Sequence, residues 1–194
     1  VVLDELPARE TRSVERLVIG AARVEPRQMC HAEIGERRHP RAEDGRAACA
    51  CGFIHWDNPV PVVAAIVEHE GAVLLARNKD WPEKMYGLVT GFLEKDEAPE
   101  DGVKREVKEE LDLDATAAHL VGLYPFGRHN ELIIAYHVPA VGTVRLNEEL
   151  ADVRRIAPEK LRPWDFGTGL AVRDWLARRA SAATGQRPMR GPKA

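Results

Sequence analysis

Glu106, Glu109 and Glu110 stand at i, i+3 and i+4, so on a helix of about 3.6 residues per turn their carboxylates fan across about 100° of one side. Like charges at that spacing repel by a few tenths of a kcal/mol per pair in water, a cost that a divalent cation with a preference for hard oxygen ligands removes. The trio belongs to a longer acidic stretch: from Glu97 to Asp114, eight acids face three bases, in a chain whose net charge is only −3. Such a cluster suits metal-assisted hydrolysis, because a bound cation neutralises an anionic target, orients it and lowers the pKa of an attacking water. The plainer alternative is a solvated charged helix in which Lys104 and Lys108 balance their neighbours.

The elements that must position these acids follow from apolar periodicity. Val103, Val107 and Leu111 recur every four residues within Pro99 to Leu113 and therefore share one face of a helix. From Pro59, Val60, Val62 and Val63 lead into Ala64 to Val67, then Glu70-Gly71, then Ala72 to Ala76, the pattern of a β-hairpin. Tyr86 to Leu93 is a further apolar run. Strands are expected at Ala115 to Tyr124, Leu132 to Val138, Gly142 to Leu146 and Asp152 to Ile156. Thr168 to Arg179 reads as a closing amphipathic helix with Leu170, Val172, Trp175 and Leu176 available for burial. The order mixes strands and helices without regular βαβ alternation. The division expected is an N-terminal segment 1–28, a cysteine-bearing segment 29–57 too small and polar for its own core, a main domain 58–180, and a Pro/Gly-rich disordered tail 181–194.

Gly91, Glu97, Arg105, Glu106, Val107, Glu109, Glu110 and Leu113 resemble the Nudix box: a glycine, five residues, a glutamate, seven residues, then Arg-Glu-aliphatic-x-Glu-Glu-x-Gly-aliphatic. Eight of the nine fixed positions match, and an accidental match this good anywhere in the chain is on the order of 1 in 100,000 at average residue frequencies. The departure is Asp112 where the family has glycine; it falls near the helix end, where Asp tolerates a left-handed conformation better than most residues. The resemblance implies an α/β (α+β) fold, an α/β/α sandwich around a mixed β-sheet, and hydrolysis of a nucleoside diphosphate linked to another moiety with Mg²⁺ or Mn²⁺. Carried over, it makes Glu106, Glu109 and Glu110 metal ligands with the Gly91 carbonyl, and Arg105 the orienting partner of Glu97 and the helix carboxylates, a role suited to a guanidinium fork. Family members differ in which acid takes the proton of the water; here Glu109 and Glu149, the latter in the turn Asn147 to Leu150, both qualify.

Cys30 and Cys49-Ala50-Cys51-Gly52 resemble the N-terminal zinc ribbon of the NADH pyrophosphatase branch of that family, with both Cys-x-x-Cys pairs broken by Glu33 and Ala48. A full set of four thiolates is therefore not supplied from the usual positions, leaving Cys49, His31 or His39 as substitutes if Zn²⁺ is held. Gly91-Phe92 also resembles that branch, and Tyr124-Pro125-Phe126 matches part of its longer downstream signature. Phe126, Arg128, Trp164 and Phe166 are candidates for stacking on a base or meeting a phosphate. The substrate expected is a dinucleotide or nucleotide sugar such as NADH or ADP-ribose. The rivals are a nucleoside triphosphate pyrophosphatase and a non-catalytic nucleotide sensor, and a homodimer is implied by resemblance alone.

The composition bounds the rest. With 28 Lys+Arg against 31 Asp+Glu there is no basic surplus to favour nucleic acid or an anionic membrane. No apolar run approaches the roughly 20 residues of a membrane span, and the Leu17 to Ala22 patch falls short of a signal-peptide core. Three crowded cysteines suit a reducing compartment, so a cytoplasmic protein is expected.

Overall fold

A computed structural model describes residues 58–183. The N-terminal segment 1–28, the cysteine segment with its zinc expectation and residues 184–194 of the expected tail lie outside them, while residues 181–183 continue the last helix and are not part of a disordered tail. Seven strands make one mixed sheet: β1 (Val60–His69), β2 (Ala72–Asn78), β3 (Val89–Phe92), β4 (Asp114–Ala115), β5 (His119–Phe126), β6 (Glu131–Val141) and β7 (Leu150–Ile156). Helix α1 spans Pro99–Leu111 and helix α2 Gly169–Ala183. The backbone path is β4-β6-β1-β2-β7, with β3 paired to β1 and β5 to β6. β1 and β6 run parallel from Val60↔Glu131 to Glu68↔Pro139, and the other pairings are antiparallel.

Strand alternation sorts the core into two layers. Val63, Ala65 and Val67 of β1 pack with Val103, Val107 and Leu111 of α1, while Ala64 and Ile66 pack with Val172 and Trp175 of α2. β1 is buried on both faces, which is why its sequence is an almost unbroken apolar run. This is the sandwich expected. The hairpin turn is also as read: Glu70 and Gly71 both have positive φ, 49° and 75°, the twist that joins two antiparallel strands through two residues.

Two expected strands differ. Gly142 to Leu146 is not a strand, because Gly142 turns the chain at φ 121° and the Arg145 N–H donates to the Leu111 carbonyl at the end of α1 instead of to a ladder. Ala115 to Tyr124 divides into β4 and β5: Thr116 bonds Pro139 through its N–H and its hydroxyl, and the ladder resumes only at His119↔His137. The Tyr86 to Leu93 run yields only β3, since Gly87 instead bridges to Ala76 on β2.

Candidate active site

Helix α1 begins at Pro99, whose missing N–H is no loss in a first turn, with Glu100 and Asp101 favourably placed at the positive end of the helix dipole. Burial of Val103, Val107 and Leu111 then fixes its rotation, and that rotation sets Glu106, Glu109 and Glu110 along its flank. β3 runs beneath. Gly91 stands there because a Cβ at that position would overlap the Glu106 carboxylate. At Gly102 a Cβ would lie 2.8 Å from both a Glu97 oxygen and Leu93, so the glycine lets the loop between β3 and α1 pack on the helix without displacing those side chains.

Arg105 gathers this loop and the acids into one network. Its Nε donates to Glu97 Oε1 at 2.7 Å and its Nη2 to Glu97 Oε2 at 3.0 Å, a two-pronged bond. Nη2 also donates to the Phe92 carbonyl at 3.1 Å, while Nη1 donates to Glu106 at 2.6 Å and Glu109 at 3.0 Å. The Arg105 bonds and the Glu94 N–H hold Glu97 below the usual carboxylate range. Glu106 shifts the other way: burial raises it despite the pull of Arg105. Burial and the charges of Glu106, Glu149 and Glu109 push Glu110 up to about 8.

Glu149 arrives by a separate route. The segment after Gly142 satisfies the last carbonyls of α1, Arg145 N–H to Leu111 and Asn147 N–H to Glu110. Asn147 Oδ1 then accepts the N–H groups of Glu149 and Leu150 at 3.0 and 3.1 Å, and the Glu149 carbonyl accepts from Lys79. The helix end itself turns on Asp112, left-handed at φ 54° as expected of the residue replacing glycine, with its carboxylate on Lys108 at 2.8 Å.

The donor set fits a hard divalent cation: oxygen ligands only, an excess of acids over the one arginine, and two carboxyls raised by burial and by neighbouring acids. Among the described residues no three acids already converge tightly enough to grip an ion. Arg105 accounts for this, since it draws Glu106 and Glu109 onto itself.

Across the sheet lies an open cleft on the α2 side. Phe126, Trp164 and Phe166 line it, whereas Arg128 is not among its lining residues. Sequence reasoning missed two members. Trp81, from the loop after β2, packs over Gly87 and lines the cleft; Glu131, first residue of β6, lines it while only 7% exposed. The signal for Glu131 was an acid directly before the apolar run Leu132 to Val138. Thr90 of β3 faces the cleft and its neighbour Gly91 backs Glu106, so one short strand serves both places.

The NUDIX domain family model matches residues 57–176. A protein named NAD-capped RNA hydrolase NudC from Vibrio atlanticus is 29% identical over 125 residues, 63% of this chain and 46% of that one. One of the same name from Mycobacterium bovis is 37% identical over 79 residues, 40% of this chain and 25% of that one. The chain thus spans less than half the length of these relatives. Among solved structures, a NUDIX hydrolase from Nitrosomonas europaea superposes with a TM-score of 0.61 at 23% identity, over 75% of this chain and 84% of that one. An ADP-ribose pyrophosphatase from Streptococcus suis gives 0.53 at 22%, over 67% and 97%. Both establish the fold. No described helix is long and apolar enough to cross a membrane.

Proposed function

The chain belongs to the Nudix family, and on that premise we propose that it is a Mg²⁺- or Mn²⁺-dependent pyrophosphohydrolase acting on a nucleoside diphosphate linked to a second moiety, of the NADH or ADP-ribose kind. The observation that carries the proposal is the Arg105 network, which binds Glu97, Glu106, Glu109 and the Phe92 carbonyl into one acidic surface beside Gly91. Glu106, Glu109, Glu110 and the Gly91 carbonyl would hold the cation, which when bound supplies charge neutralisation for the pyrophosphate and a more acidic water.

The chain's own residues do the rest. Arg105 fixes the loop from Glu94 to Glu97 against α1, so that the carboxylates keep their spacing while the substrate arrives. Glu149, on a loop pinned through Asn147 and Lys79, faces Glu110 without drawing on the arginine, and we assign it the proton of the attacking water. As water oxygen bonds to phosphorus and the bridging P–O bond breaks, that proton passes to the carboxylate and the products are two monophosphates. Phe126, Trp164 and Phe166 supply flat faces on which a base stacks.

The relatives' name favours a second reading, in which the same bond is cut in a dinucleotide carried at an RNA end. A net charge of −3 provides no general attraction for RNA, so this reading places recognition on the terminal dinucleotide. A Mg²⁺-dependent hydrolysis panel tests the set: NADH, ADP-ribose, nucleoside triphosphates and a dinucleotide-capped RNA, with products separated by chromatography. Two monophosphates from NADH or ADP-ribose are expected, and release of pyrophosphate from a triphosphate alone would favour the rival pyrophosphatase. The homodimer implied by resemblance is checked by light scattering.

A further inference from the structure

Glu131 is an anomaly in a cleft otherwise lined by apolar surface and two threonines. It is the one acid among the lining residues, it is only 7% exposed, and its Oε2 has no hydrogen-bond partner among the described residues. A buried carboxyl oxygen left unpartnered is expensive to keep unless something outside the fold completes it. Four rings surround the opening from three separate stretches of chain: Trp81 after β2, Phe126 at the end of β5, and Trp164 and Phe166 before α2. Aromatic faces with a single acceptor at the wall make a receptor for a flat ring that carries a hydrogen-bond donor on its edge.

We propose that Glu131 is the specificity-determining residue of this cleft, its Oε2 accepting an N–H from the amino or carboxamide group of a ring stacked among Trp81, Phe126, Trp164 and Phe166. The inference rests on the reading that a nucleotide occupies the site, and it narrows that class to rings bearing an –NH₂ group. Two sources share this chemistry: the exocyclic amine of adenine and the carboxamide of a nicotinamide ring. Burial pushes the Glu131 carboxyl up to about 7. The amino group therefore meets an acceptor that no described residue has claimed, and an acceptor oxygen is present in both protonation states. A ring without the donor leaves that oxygen desolvated and unpaired, which is how a buried polar group rejects an analogue.

Nucleotide binding in the absence of metal tests this without any turnover. Trp81 and Trp164 line the cleft, so their fluorescence reports occupancy. At pH 8, AMP is compared with purine riboside 5′-monophosphate, which lacks only the amine, and nicotinamide mononucleotide with nicotinate mononucleotide. The arm in which the amino-bearing ring binds about 10-fold or more tightly identifies the ring. Glu131→Leu should reduce that ratio to within about twofold, while Glu131→Gln, which keeps an acceptor oxygen of the same shape, should retain most of it. Equal binding within both wild-type pairs overturns the proposal, and this holds even if the leucine variant does not fold. An unchanged ratio in a folded leucine variant also overturns it. Selective binding without hydrolysis would retire the hydrolase reading and leave this one standing; hydrolysis with unselective binding would do the reverse.

Discussion

Carboxylates leave water on both faces of this sheet, but under opposite arrangements. On the α1 face several acids crowd together, and one arginine with four or more hydrogen bonds ties them to the loop that precedes them. On the α2 face a single acid sits among aromatic rings, its pKa raised by burial. The first arrangement stores negative charge that a divalent ion relieves. The second stores an unmet hydrogen-bonding demand that a neutral ring can meet. Crowding of acids points to a cation and isolation of an acid points to a donor, and the two needs are served from adjoining residues of β3, Gly91 and Thr90.

The comparison breaks most visibly at the crowded face. Glu109→Gln removes one oxygen donor from the proposed cation site and should lower kcat for NADH or ADP-ribose by about 10²–10³-fold, measured under saturating Mg²⁺. Arg105→Lys keeps the charge but not the fork that spans Glu97 and Glu106, so a fall of about 10–100-fold is expected in kcat/KM; a change under twofold would mean that the network does not position the acids. Gly91→Ala forces the Glu106 carboxylate aside and should cost about 1–3 kcal/mol in urea unfolding together with activity.

The isolated acid sharpens the contrast through pH. With Glu131 raised to about 7 against an ordinary value of 4.5, its favourable neutral form is intact below about 4.5 and is lost as pH rises through about 7. Glu131→Gln mimics the neutral form, so it should stabilise the chain by about 1–3 kcal/mol at pH 8, with the margin shrinking toward zero as pH falls to 4.5. Thermal melts across that range check it, and a margin independent of pH would show that the acid is not held neutral by burial. The smallest effect belongs to neither face. Asp112→Gly relieves a left-handed residue but gives up exposed ion pairs to Lys108 and Arg145, so a gain of at most about 1 kcal/mol with activity unchanged is expected.

The crowded face was legible because its chemistry is local in sequence. Gly91 to Leu113 is one strand, one loop and one helix, so spacing alone sets Glu106, Glu109 and Glu110 on a common side, and even the left-handed turn at Asp112 follows from its position. Glu149 was legible only as one acid in a late turn; what seats it is Asn147, whose N–H caps α1 and whose side chain holds the turn. That capping is also why Gly142 to Leu146 reads as a strand yet forms none: the Arg145 N–H, like that of Asn147 just beyond, is spent on a helix carbonyl that periodicity does not see. The isolated face was half legible, because aromatic type flags Phe126, Trp164 and Phe166, while Trp81 and Glu131 reach the cleft only through the parallel pairing of β6 with β1 and the fold of the loop after β2.

The measurement that bears most directly on the central claim is the fate of ADP-ribose incubated with the protein and Mg²⁺, wild type beside Glu109→Gln, with products resolved by chromatography. AMP and ribose 5-phosphate are expected in equal amounts from the wild type, dependent on the metal and reduced at least about 100-fold in the variant. Substrate bound in the presence of Mg²⁺ but left whole over long incubation, with NADH equally untouched, would contradict it and make the acidic surface a nucleotide sensor.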